Sequence, residues 1–162
     1  MSSTNFSQNS AERPHRDQDW SKPVRYTSAR RNIGSSSPAC RTRFPEAVLI
    51  DVRTRAEHKY VGFPKNSILI PWFDEPDLES DPDSFYESVL AVLGDRSDVM
   101  DTELILICRS GFRSNEALKC LQSKGFTCVS HVASGFEGDL DENDHRGNLN
   151  GWRNDGMPWS QG

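Results

Sequence analysis

Glu103-Leu104-Ile105-Leu106-Ile107-Cys108-Arg109-Ser110-Gly111-Phe112-Arg113-Ser114 joins a strand-sized apolar run to a tight polar loop. A continuous apolar run of this length is the pattern of a strand buried in a parallel sheet. Behind the loop, Ala117, Cys120, Leu121 and Lys124 keep helical spacing and Gly125 closes the helix. Working outward, Ala47–Val52, Ser67–Ile70 ahead of Pro71, and Thr127–Val132 predict three more strands. Between them, Asp81 stands as an N-cap before Pro82 at the first helical position. Phe85, Val89, Val92 and Leu93 then follow on one face, and Gly94 stops the helix. Strands alternating with helices predict an α/β domain with a mainly parallel sheet and helices on both faces.

The chain has 162 residues, enough for one domain of ordinary size. It is 35% hydrophobic and 27% charged, with a mean hydropathy of -0.69. Its longest apolar runs, Ala47–Ile50 and Leu104–Cys108, fall far short of the roughly 18 residues a transmembrane helix needs, so no membrane partner is expected. Met1–Ser10 has no apolar stretch behind a basic start, and the expected location is the cytoplasm. Cys40, Cys108, Cys120 and Cys128 show no C-x-x-C spacing, and reduced thiols are expected. Residues 1–45 hold 8 basic and 3 acidic side chains in a chain whose totals are 19 and 24. This segment, rich in Ser, Arg, Asn and Gln with prolines at 14, 23, 38 and 45, reads as a basic, largely disordered tail ahead of a domain over 46–162. Its arginines could neutralise phosphates, yet it has neither interleaved aromatics nor a recognition motif, so no nucleic-acid partner is expected.

Cys108 stands at the carboxyl end of a buried strand and at the mouth of a helix, where open α/β sheets place their ligands. Small residues at Ser110, Gly111 and Ser114 let successive amide groups turn inward, making an anion nest at the positive end of the helix dipole. The anion such a nest favours first is a thiolate, since cysteines at helix N-termini or beside cations titrate at about 3.5–7.5 instead of ~8.5. Arg109 and Arg113 would draw an anionic substrate to it. The plain alternative for Cys108 is a buried structural thiol. Cys120 on the helix face and Cys128 in a strand read as core, and Cys40 as an exposed thiol of the tail. His15, His58, His131 and His145 have no metal-ligand spacing and read as surface or satisfied core residues; no metal is expected. Asp139–Asp144 reads as a solvated loop without the full calcium-loop pattern.

The seven residues Cys108–Ser114 resemble the active-site loop of the rhodanese family, the thiosulfate sulfurtransferases, whose pattern is Cys-Arg-x-Gly-x-Arg followed by a small residue. Asp51-Val52-Arg53, then Glu57, then Gly62–Ser67 resemble the family's second marker. Gly151-Trp152 with Gly156-Met157-Pro158 is similar to its closing marker. The resemblance spans about residues 47–159 and implies a single rhodanese-like domain without a cofactor. It implies that Cys108 attacks a sulfane sulfur donor to form a persulfide, then passes that sulfur to a thiol or cyanide. Arg109, Ser110, Gly111, Phe112, Arg113 and Ser114 would contact the substrate. Asp51 would orient the loop or cap a turn, Arg53 would steer substrate or sit in solvent, and Glu57 would brace the loop by accepting its N–H groups or pair with an arginine. Trp152, Met157 and Trp159 read as core cover. The implied partners are a small anionic sulfur donor and a thiol acceptor, with a sulfur-accepting protein as a further candidate.

Three departures stand out. The Gly62 segment lacks the family's histidine and second glycine, residues 136–150 look longer than the usual ending, and no amphipathic helix precedes the Asp51 strand. Two alternatives remain open at this level. One is a persulfide carrier or interaction module. The other, a phosphatase or arsenate reductase, fits less well, because four residues rather than five separate Cys108 from Arg113.

Overall fold

The computed structural model describes residues 33–34, 47–95 and 97–162. The elements in chain order are β1 (Ile33–Gly34), β2 (Val48–Asp51), α1 (Arg55–Val61), β3 (Phe63–Pro64), β4 (Ile68–Leu69) and α2 (Pro82–Leu93). A 3-10 turn at Val99–Asp101, β5 (Leu104–Ile107), α3 (Phe112–Ser123), β6 (Val129–Val132) and β7 (Trp159–Ser160) complete them. The main sheet runs β1-β6-β5-β2-β4. β4, β2, β5 and β6 are parallel, with Ile50 opposite Ile68, Leu104 opposite Val48, and Leu104 again opposite Val129. β1 lies antiparallel to β6 at the edge, so two residues from the stretch read as a tail extend the sheet. The rest of 1–46, including the expected disorder, lies outside the described residues.

The pleat sorts the apolar run of β5 between two cores. Leu104 and Leu106 face α2 and α3 with Ile50, Val52, Phe85, Val89, Ala117, Leu118 and Leu121. Ile105 and Ile107 face the other way, with Leu49, Val132, Phe136, Trp152 and Met157, against which Val61 at the end of α1 and Trp159 pack. That second face is covered mostly by the irregular chain after β6. Its Trp152 indole donates to the Pro158 carbonyl at 2.9 Å, which satisfies the one polar atom of a ring that is 2% exposed. Burying a Val or Leu side chain as fully as Val89 and Leu121 is worth about 1.5–3 kcal/mol.

The ends of α2 follow local chemistry. Asp81 accepts from the Asp83 and Ser84 amides at 3.2 and 3.1 Å, and Gly94 closes the helix in a positive-φ conformation. α1 has no counterpart among the predicted elements, although Thr54 and Glu57 form a reciprocal capping box. Its seven residues bury none of their number, so no apolar period announced it. Cys128 departs from the expected reduced state: it is disulfide-bonded. Cys108 and Cys120 are free. No helix among the described residues is long and apolar enough to cross a membrane.

Candidate active site

Cys108 follows β5 directly, and α3 begins four residues later with Gly111 as its N-cap. The loop must therefore reverse within three residues, and Gly111 does this at φ 95, in the left-handed region. Its amide donates to Cys108 Sγ at 3.1 Å. A side chain at 111 is excluded twice over, since a Cβ there would lie 1.8 Å from the Ala133 carbonyl oxygen. The segment after β6 presses on the loop from behind: Phe136 and Glu137 amides donate to the Cys108 and Arg109 carbonyls at 2.7 and 2.9 Å. Gly135 meets the Arg109–Ser110 peptide so closely that a Cβ would stand 2.5 Å from it. The cysteine loop is thus a rigid layer between α3 and the Ala133–Glu137 chain. The first-turn amides of α3 have no intrahelical partners, and the positive end of its dipole points toward the sulfur.

Cys108 is 1% exposed, yet it lines an open cleft of about 770 Å³ together with Arg109, Ser110, Phe112, Trp72 and Phe73. Phe112 stands 77% exposed at its rim. Arg113 also lines the cleft, but its guanidinium forks onto Glu57 with two bonds of 2.7 and 2.6 Å and lies 5.2 Å from the centre of the Phe73 ring. Burial by itself would raise the Glu57 carboxyl. Hydrogen bonds from Arg113 and from the Thr54 amide, with the Arg113 charge, outweigh it and bring the group from 4.5 to about 2. Burial likewise opposes the Arg113 charge, and Glu57, then Cys108 and Asp51, more than restore it, so Arg113 is raised above its ordinary value. Glu57 therefore pairs with an arginine, one of the two roles the sequence left open for it.

Asp51 and Arg53 form a fully buried ion pair behind the cleft. The Arg53 Nε donates to Asp51 Oδ1 at 2.9 Å and Nη2 to Oδ2 at 2.7 Å; Nη2 also donates to the Gly62 carbonyl at 2.7 Å. The guanidinium lies 4.2 Å from the centre of the Phe136 ring. This arrangement ties the end of β2 to the end of α1 and to the chain after β6. It leaves Arg53 with no exposed surface for steering substrate. His58 adds a contact from Nδ1 to Asp51 at 3.1 Å and stacks on Phe63. Arg55 pairs with Asp74 on the surface.

Ser114 and His131 are the pair whose connection the sequence did not disclose. Ser114 Oγ lies 3.4 Å from Cys108 Sγ, 3.1 Å from the Gly111 carbonyl and 3.1 Å from His131 Nδ1. No spacing links residues 17 apart; only the packing of α3 on β6 brings them together. Burial pushes His131 below its ordinary value. Among the described residues, no group of three or more His, Cys, Asp or Glu side chains is placed to hold a metal.

The family model for the Rhodanese-like domain matches residues 40–142. Over 117 residues the chain is 30% identical to the uncharacterized protein RP600 of Rickettsia prowazekii, covering 70% of this chain and 82% of that one. It is 36% identical over 87 residues to the thiosulfate:glutathione sulfurtransferase of Saccharomyces cerevisiae, covering 53% of this chain and 59% of the yeast protein. The crystal structure of Rv0390 from M. tuberculosis is similar with a TM-score of 0.60 and 36% identity, covering 73% of this chain and 86% of that one. The family match runs from before β2 through the Cys108 loop and β6, so the parallel sheet and the cleft at its carboxyl edge fall inside it. The chain belongs to the Rhodanese-like domain family.

Proposed function

We propose that this domain is a sulfurtransferase in which Cys108 carries the sulfur. The observation that carries this reading is the Cys108 sulfur at the floor of an open cleft, held 3.1 Å from the Gly111 amide and facing the N-terminus of α3. In the first step the Cys108 thiolate attacks the outer sulfur of thiosulfate. A sulfur–sulfur bond forms at Cys108 as the donor's own sulfur–sulfur bond breaks, and the electron pair leaves with sulfite. The charge of the persulfide lies on its outer sulfur, one sulfur–sulfur bond beyond Sγ in the cleft, where the unpaired first-turn amides and the positive end of the α3 dipole favour an anion. An acceptor thiolate then attacks the outer sulfur, leaves as its own persulfide and returns Cys108 to the thiolate.

Arg109, Ser110 and Phe112 line the approach, and Arg113 supplies positive charge while tethered to Glu57. A cleft of about 770 Å³ has room for far more than thiosulfate, in the range that takes drug-sized ligands. The acceptor is accordingly a thiol with a body, and the likeness to the yeast thiosulfate:glutathione sulfurtransferase favours a peptidic thiol such as glutathione. Incubation with thiosulfate followed by peptide mapping tests the reading. One added sulfur on the Cys108 peptide, discharged by glutathione and absent in Cys108→Ser, is the expected result. Sulfur on Cys120 with Cys108 unmodified, or none from thiosulfate or an organic persulfide, overturns it.

A further inference from the structure

His131 takes no part in the steps above, yet it is 8% exposed and one residue removed from the cysteine sulfur. The link is Ser114 Oγ, which has three polar neighbours and a single proton to give. The Gly111 carbonyl only accepts, so its contact also draws on that one proton; the Asn115 amide donates to it at 3.1 Å and leaves its second lone pair open. The hydroxyl proton is therefore contested by the ring, the carbonyl and the sulfur, and a thiolate or persulfide, being charged, accepts more strongly than a neutral carbonyl. If His131 Nδ1 is bare, it takes the hydroxyl proton and Ser114 turns a lone pair toward Sγ. If Nδ1 carries a proton, the ring donates to Ser114 Oγ, and the hydroxyl proton is free for the sulfur.

We propose that His131 is a positioning residue for Cys108: its Nδ1–H donates to Ser114 Oγ and thereby aims the serine hydroxyl at the thiolate or persulfide. The inference rests on the reading of Cys108 as the sulfur that reacts. No proton changes owner and no covalent bond is made, so the device is a fixed orientation of two donors in series. Burial, with no charged neighbour contributing, holds the ring below its ordinary value, and it therefore acts as a neutral tautomer. Among the described residues, the elements packed against His131 bring Ser114 from α3, Leu106 in register from β5 and Gly34 from β1, none of them charged. Cys108, reached through Ser114, is the one titratable group in the series.

Nitrogen-15 NMR of the full chain reads the tautomer directly, with no substitution. A protonated Nδ1 is expected, and an Nε2–H tautomer with a bare Nδ1 would overturn the proposal. The second measurement is the rate of Cys108 alkylation by iodoacetamide at pH 6.5, located by peptide mapping. Ser114→Ala and His131→Leu each slow it by about tenfold, the loss of one hydrogen bond to a charged group, and the double variant is no slower than either. His131→Asn, whose amide nitrogen stands as many bonds from Cα as Nδ1, recovers most of the rate. Effects that multiply in the double variant, or a His131→Leu rate within about twofold of wild type, count against a relay through Ser114. Where the leucine variant does not fold, the tautomer and the asparagine variant decide. Failure of thiosulfate to load Cys108 in the wild-type chain strikes the sulfurtransferase reading and leaves these alkylation rates as they are.

Discussion

Replacing Glu57 by Gln removes one charge from the brace that holds the cysteine loop to α1, while leaving a side chain that still accepts from the Thr54 amide. The fall of the Glu57 carboxyl from 4.5 to about 2 corresponds to a ceiling of roughly 3 kcal/mol in favour of the folded state. Water reaches this carboxylate, which is 21% exposed, and screening brings the expected loss in Glu57→Gln to about 2 kcal/mol at neutral pH. Glu57→Ala also loses the capping box, for about 1 kcal/mol more. The pH dependence has a definite sign. The folded-state value lies below the unfolded one, so the contribution is whole above 4.5 and fades as pH falls toward 2. Urea unfolding followed by tryptophan fluorescence, repeated from pH 7 down to pH 2, should show wild type and Glu57→Gln converging. Titrations common to both proteins, His131 among them, cancel in that difference. A gap below about 0.5 kcal/mol at pH 7, the level of an ordinary surface change, would refute the reasoning. So would a gap that is just as large at pH 2.

Gly111→Ala should lose at least about 3 kcal/mol, because a left-handed conformation and a Cβ driven into the Ala133 carbonyl act together; a thermal midpoint near wild type would show that the loop relaxes. Phe112→Ser should leave stability within about 0.5 kcal/mol, since the ring is 77% exposed, and raise KM for the thiol acceptor with little change in thiosulfate loading. An unchanged acceptor KM removes Phe112 from the acceptor site. Cys120→Ala should cost less than about 1 kcal/mol and leave sulfur transfer intact, because this free thiol is only half-buried on α3. Loss of transfer in the folded variant would reveal a second working thiol.

Local chemistry determined much of this protein. Asp81-Pro82 and Gly94 bound α2 because a cap and a φ-restricted residue need no distant partner. The run Leu104–Ile107 was legible as a buried strand because every one of its side chains is apolar, and both faces of β5 are indeed covered. The cysteine loop was legible too, since its small residues and its place between strand and helix are written consecutively. α1 was encoded as well, in the Thr54–Glu57 box, but with no apolar stripe to draw attention to it. The roles of single charged residues were not legible. Arg53 and Arg113 look alike in the sequence; the fold encloses one with Asp51 and Phe136 and sets the other at the cleft against Glu57, 56 positions away. His131 shows the same limit, because a strand residue meets whatever its neighbouring strand and helix present, and that depends on sheet order. Sequence periodicity shows where apolar faces form, although Val92, in phase with Phe85 and Val89, is exposed; which polar groups are buried together is settled only when elements distant in the chain come to lie side by side.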